Sequence, residues 1–231
     1  MGRRRPNQLD LPIPANWGGR RSGAGRTSLQ VRPGPPHGVR LEHDPRHPVH
    51  VTLRARPGVP SLRSSKPFGE IRRALVASSR RSLRVTHFSV QQDHLHLIVE
   101  ADQPLALVRG VQGLAIRCAR AVNRASGRRG PVWSHRYHAH ALTTPREVRR
   151  ALAYVLLNFR KHLRAQPGVD PRSSGPWFGG WNVPPPRPAT FCPVAFPRTW
   201  LGSVGWLRAG GPINFSEAPR PRSDRPILIR Q

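Results

Sequence analysis

Asp93-His-Leu-His-Leu-Ile-Val-Glu100 is the stretch on which the reading of this chain turns. From His94 the residues alternate. Leu95, Leu97, Val99 and Ala101 fall on one side, and His94, His96, Ile98 and Glu100 on the other. That is the period-2 pattern of a strand with one side on a core. The apolar side is expected to face helices. The two histidines then project together from the opposite side, placed so that two imidazoles can share one ion.

Upstream, Val49, Val51, Leu53 and Ala55 alternate with His50, Thr52, Arg54 and Arg56, which predicts a first amphipathic strand. A helix is expected to start at Pro67 and end near Leu83, with Phe68, Ile71, Leu75 and Val76 on its buried face. A second strand at 84–91 and a tight turn at Gln92-Asp93 lead into the histidine strand.

Downstream, Pro104 opens a second helix in which Leu105, Val108, Val111, Ala115, Cys118 and Val122 recur at helical spacing until Gly127. A fourth strand is expected at 132–142, including a second pair, His138-Ala-His140. Thr144-Pro-Arg-Glu147 then combines an N-cap hydroxyl, a proline at N1 and a glutamate at N3, a capping box that starts a third helix running to about His162. The order β-α-β-β-α-β predicts an α+β, ferredoxin-like (RRM-like) sandwich with both main helices on one sheet face and the other face open. The third helix adds to it. Val148, Leu152, Val155 and Phe159 mark its buried stripe, while Tyr154 and Asn158 share an adjoining face at i and i+4. The amide can complete a metal site, and the phenol then stands one turn away, within reach of a metal-bound phosphate.

Composition narrows the partner. Among 231 residues, 39 are Lys or Arg and 11 are Asp or Glu, a formal charge of +28 and a sequence pI of about 12.0. Lys66 and Lys161 are the only lysines. GC-rich coding would account for arginine in place of lysine, but not for so few acids. An uncompensated excess of this size calls for a polyanion, nucleic acid first. No stretch approaches the roughly 18 apolar residues of a membrane span, and Met1-Gly-Arg-Arg-Arg-Pro lacks the apolar segment of a secretion signal, so a cytoplasmic, nucleoid-associated protein is expected. Cys118 and Cys192 read as free thiols.

Three regions follow. Residues 1–46, rich in Arg, Gly and Pro, are expected to be a disordered arm whose Arg20, Arg21 and Arg26 can track a phosphate backbone. Residues 47–166 are expected to form one folded domain that carries the histidine pairs and Tyr154. Residues 167–231 are a Pro/Gly/Trp-rich tail, largely irregular, pinned by Trp177, Trp181, Trp200 and Trp206, with disorder expected beyond Ala209.

The histidine strand, then Val132-Trp-Ser-His-Arg-Tyr-His138, then Ala153-Tyr-Val-Leu-Leu-Asn158 together resemble the HUH single-tyrosine (IS200-like) transposases, and within them the REP-associated tyrosine transposases. The resemblance covers 47–163. It implies that His94 and His96 are the family's histidine pair, that Tyr154 is its nucleophile, and that Asn158 is the polar ligand one turn later. It implies a divalent metal, Mg or Mn, and a single-strand DNA endonuclease and strand transferase acting through a 5′-phosphotyrosine. Single-stranded or hairpin DNA is the expected partner, with no small-molecule cofactor and with a monomer or homodimer as the acting unit. Arg54, Arg136, His138, Arg150 and Lys161 are the expected DNA contacts besides the arm. After Asn158 the chain reads Phe159-Arg-Lys-His162, where the family's segment runs through a proline.

Two other readings compete. His50-Val-Thr52 and His87-Phe-Ser89 each match the element of a two-histidine phosphoesterase, which needs no metal. A non-catalytic RRM-like binder would place aromatic residues on the open face, where this sequence puts His50, Thr52, Arg54, His94 and His96.

Overall fold

The computed structural model describes residues 43–159, 168–186 and 188–217. The element order is β1 (Val49–Arg54), α1 (Ser65–Ser78), β2 (Leu83–Val90), β3 (His94–Ala101), α2 (Pro104–Ala125), β4 (His138–Ala141) and α3 (Pro145–Leu157). The four strands form one antiparallel sheet in the order β2-β3-β1-β4. This is the ferredoxin-like arrangement the sequence implies.

Alternation sets the first sheet face. Val49, Val51, Leu53, Leu95, Leu97 and Val99 are all buried against α1 and α2. The helices themselves shift slightly from expectation. α1 stops at Ser78, where Ser79 turns extended, and its buried stripe is Phe68, Ile71, Leu75 and Ser78, which leaves Val76 exposed. In α2 the stripe is Leu107, Val111, Leu114, Cys118 and Ala121/Val122, whereas Leu105 and Val108 point to solvent. In both helices apolar residues lie about one step round from the stripe, where periodicity alone does not separate them from it. The fourth strand is also shorter than expected. Trp133 makes one bridge to Ala55, the ladder breaks over 134–137, and pairing with β1 resumes at His138.

The second sheet face is not open. α3 and the chain after it cover it, building a second apolar cluster in which Ile98 of β3 meets Leu152, Leu156, Phe178, Trp181, Trp206 and Ile213. Gly180 makes this possible, because a Cβ there would lie about 2.5 Å from both Phe178 and Trp206. The tail also seals the β2 edge: Val90 N donates to Arg172 O, Ser174 N to Phe88 O and Ala195 N to Val85 O. An unpaired edge is thereby capped by irregular chain.

Buried ion pairs fasten the tail. Arg63 grips the fully buried Asp170 through two bonds of 2.8 Å. Glu100, expected on an open face, is fully buried and accepts from Arg198 N (2.7 Å), Thr199 N (3.2 Å) and Thr199 Oγ1 (2.8 Å), with Arg84 Nε at 3.4 Å. Of the four tail tryptophans, Trp181 and Trp206 are buried, whereas Trp200 is 49% exposed under Arg208. Order also continues past Ala209, where disorder was expected: Ile213 is buried beside Trp181, and Glu217 pairs with Arg149 at 2.7 Å. No described helix is long and apolar enough to cross a membrane.

Candidate active site on the second sheet face

The histidine pair emerges from β3 onto the covered face. The rings of His94 and His96 stack at 5.9 Å, only 5° from parallel. β1 supplies a third ring. His50 stacks on His96 at 5.6 Å, because β1 pairs antiparallel with β3 and places His50 opposite Ile98, two residues along the strand from His96 and on the same face. Tyr154 approaches from α3, edge-on to His96 at 5.2 Å and to His50 at 5.9 Å.

Hydrogen bonds orient the pair. Nδ1 of His94 lies 2.6 Å from Asp93 Oδ1, and a carboxylate can only accept, so Nδ1 carries the proton and the basic lone pair of the neutral ring is on Nε2. Nδ1 of His96 lies 3.2 Å from Thr52 Oγ1, where the same tautomer is available. Contacts of this kind fix the orientation and tautomer of an imidazole, as a metal-ligating one would need.

α3 is held in register by its N-cap. Thr144 Oγ1 accepts from Glu147 N at 3.2 Å, as the capping box requires. The return bond is displaced by one residue, since the Glu147 carboxylate takes Thr143 N (2.8 Å) and Thr143 Oγ1 (2.9 Å). Burial raises the pKa of Glu147, but the bonds from Thr143, the proximity of His140 and the bond from Thr144 outweigh it and leave it below the ordinary value. One turn beyond Tyr154, Asn158 is 1% exposed, and neither its side-chain oxygen nor its nitrogen has a hydrogen-bond partner. Among the described residues no three His, Cys, Asp or Glu side chains converge as a metal centre. A cation here would therefore draw on two imidazoles and an amide, and the unpartnered buried amide fits that demand.

The expected DNA contacts separate. Arg54 and His138 are exposed on the rows that carry His94 and His96: Arg54 is opposite His94, and His138 is opposite Thr52, itself opposite His96. Arg150 is exposed one turn before Tyr154, and Arg136 is exposed in the segment leading into β4. Lys161, Arg20, Arg21 and Arg26 lie outside the described residues. The sequence marks His50 as a face residue and as half of a His-x-Thr element, not as a neighbour of Tyr154. Its place beside Tyr154 was legible as far as strand alternation went, but the crossing of α3 was not. Two clefts of the described surface lie elsewhere, one lined by Phe68, Arg72 and Arg172 and the other by Arg73, Arg117 and Arg120.

Neither competing reading suits this geometry. His50 and His87 both pair with Ile98, from opposite sides, so an isoleucine stands between them. His87 is buried edge-on against Phe178 at 5.4 Å, and desolvation pushes its pKa down to about 4. Thr52 is engaged by His96. A stacking platform of the RRM kind needs an accessible sheet face, and α3 and the tail occupy it.

Comparison with known proteins adds a family. Residues 66–156 match the family described as "Transposase IS200 like". The match spans α1 to α3 and includes His94, His96 and Tyr154, but stops before Asn158 and leaves out β1. The resemblance to the IS200-like transposases drawn from the sequence is borne out over these residues. No curated protein matches the chain. Among solved structures, a REP-associated tyrosine transposase bound to a REP hairpin is similar at 18% identity, covering 55% of this chain and 74% of that one, with a TM-score of 0.46.

Proposed function

We propose that this chain, similar over residues 66–156 to the IS200-like transposases, is a transposase that cuts and rejoins single-stranded DNA through Tyr154. The observation that carries the reading is the packing of the Tyr154 ring against His96 and His50, with the unpartnered amide of Asn158 one turn on. His94, His96 and Asn158 would hold a divalent cation, Mn suiting the imidazole and amide donors better than Mg. When bound, the cation supplies Lewis-acid polarisation of the scissile phosphate.

The chain's own residues do the rest. Asp93 and Thr52 hold the imidazoles in one orientation, and α3 holds the phenol at the edge of that pair. The Tyr154 oxygen loses its proton and bonds to phosphorus, the P–O3′ bond breaks, and the departing 3′-oxygen takes up a proton. A 5′-phosphotyrosine and a free 3′-OH result. Attack by a second 3′-OH reverses the exchange, so joining needs no small-molecule cofactor. Hairpin DNA with single-stranded flanks is the substrate we favour, because an unpaired backbone can reach a site wedged between a sheet and a helix. The formal charge of +28 supports a polyanionic partner in the cytoplasm, at the nucleoid. Arg54, Arg136, His138, Arg150, Lys161 and the arm residues Arg20, Arg21 and Arg26 would grip its phosphates, in a protein acting as monomer or homodimer.

The test removes one oxygen. Labelled hairpin DNA incubated with Mn and the wild-type protein should give a protease-sensitive adduct joined through the 5′ side of the break. Tyr154→Phe should bind the DNA as tightly and give neither adduct nor cut. Cleavage by Tyr154→Phe at the wild-type rate would make Tyr154 a packing residue.

A further inference from the structure

We infer that Gln91, through its side-chain carbonyl oxygen, is a fourth protein ligand of the cation assigned above to His94, His96 and Asn158, an inference that rests on that assignment. Gln91 follows β2 and is 1% exposed. Its backbone N donates to His94 O at 2.8 Å, which sets Gln91 directly opposite His94, just as Ser89 is opposite His96. Directly opposed residues of an antiparallel pair share a face, with Cβ atoms roughly 5 Å apart. The neighbours of the histidine pair on β2 are therefore a hydroxyl and an amide.

The amide is oriented. Nε2 of Gln91 donates to Ser89 Oγ at 2.7 Å, and Oε1, turned the other way, is buried with no hydrogen-bond partner. The path of α3 brings the second unpartnered amide to the same side. Glu147, in its first turn, lies 3.8 Å from His140 on β4, and Tyr154 touches His50 on β1 and His96 on β3. The helix thus crosses the sheet from β4 toward β2. Four residues advance the helix by about 6 Å, close to the strand spacing of roughly 4.8 Å. Asn158 therefore lies about one strand beyond Tyr154, on the β3–β2 side where Gln91 stands.

Two buried amide carbonyls left without donors, flanking two imidazoles whose Nδ1 atoms are already engaged, make a mixed nitrogen and oxygen set. A hard divalent cation satisfies all four at once. Each carbonyl would otherwise remain desolvated and unpaired, an arrangement native interiors avoid.

The experiment titrates the full-length protein with Mn(II) without DNA, following bound ion by electron paramagnetic resonance, beside thermal melts of the same samples. Gln91→Leu should weaken Mn(II) binding about 10-fold or more, and Gln91→Glu, which keeps an oxygen at the same reach, should bind at least as tightly as wild type. If Gln91→Leu fails to fold, Gln91→Met takes its place. A leucine variant that melts higher and binds Mn(II) like wild type would show that Gln91 is a buried amide without a ligand, and would overturn the inference alone. If wild type binds Mn(II) no better than the double variant His94→Ala/His96→Ala, the cation assignment falls and this inference falls with it.

Discussion

The two faces of the sheet are built by the same strands and are both covered, the first throughout and the second in part, yet they differ in what burial does. Against α1 and α2 the contacts are apolar throughout, from Val49, Val51 and Leu53 to Leu95, Leu97 and Val99. Burial there stabilises with no polar accounting. Against α3 and the tail the strands present His50, Thr52, Arg84, Thr86, His87, His96 and Glu100 around a single large aliphatic side chain, Ile98. Each such group costs stability unless partnered. Most are: Thr86 Oγ1 donates to Ile98 O at 3.0 Å, and Glu100 takes three bonds from the tail. The amides of Gln91 and Asn158 keep unpaired atoms.

The contrast can be broken at Leu97, which is fully buried on the apolar face between two residues of the other face. Leu97→Ala should lower stability by about 2–5 kcal/mol through lost transfer energy and the cavity left behind. Adduct formation per folded molecule should stay within a factor of a few. Urea unfolding and the DNA adduct assay read the two quantities on one preparation. A large loss of adduct from molecules that remain folded would show that the faces are coupled, and that the apolar layer sets the geometry of the histidines.

The sequence revealed the first face more readily than the second, for a physical reason. Period 2 is imposed by the strand itself, so Leu95, Leu97 and Val99 were legible without knowing their partners. Helical phase was less secure, because Leu105, Val108 and Val76 are apolar and sit one step off the buried stripe. The second face is closed by contacts that obey no period: one glutamate on Thr199, one aspartate on Arg63, and Trp181 and Trp206 on Phe178. Nothing local announces such pairs. His94, His96, Tyr154 and Asn158 were readable as two motifs, but the meeting of Tyr154 with His96 and His50 depends on α3 lying across a face the sequence left open.

A smaller effect tests whether the second face is charged when folded. His87 stays neutral in the folded protein down to about pH 4, because burial outweighs any gain from protonation, whereas its ordinary value is 6.5. The unfolded chain therefore binds the proton first. The contribution is fully present above about pH 6.5 and is lost as pH falls toward 4, up to roughly 3 kcal/mol in all. His87→Leu should show a shallower fall in urea midpoint between pH 7 and pH 4.5 than wild type. Parallel curves would mean that solvent reaches His87 and that the tail does not seal this side.

The smallest effect asks what holds α3 across that face, its own cap or the tail beyond it. Thr144 Oγ1 satisfies Glu147 N, and Arg149 ties the first turns of the helix to Glu217 through bonds of 2.9 and 2.7 Å. Removing one N-cap oxygen typically costs about 1 kcal/mol. If the tail and the apolar stripe of Val148, Leu152 and Val155 set the helix position, Thr144→Ala should lose that amount, measured by urea unfolding, and leave Tyr154 reactivity intact. If the cap sets it, the helix start frays and the phenol shifts against His96, so adduct formation should fall more steeply than stability. Glu217→Gln supplies the matching control from the other end, weakening the tail tie while the cap is untouched. A larger loss of adduct in Thr144→Ala than in Glu217→Gln, at equal stability, would assign the placement of the nucleophile to the cap formed by Thr144 and Glu147 rather than to the tail that covers it.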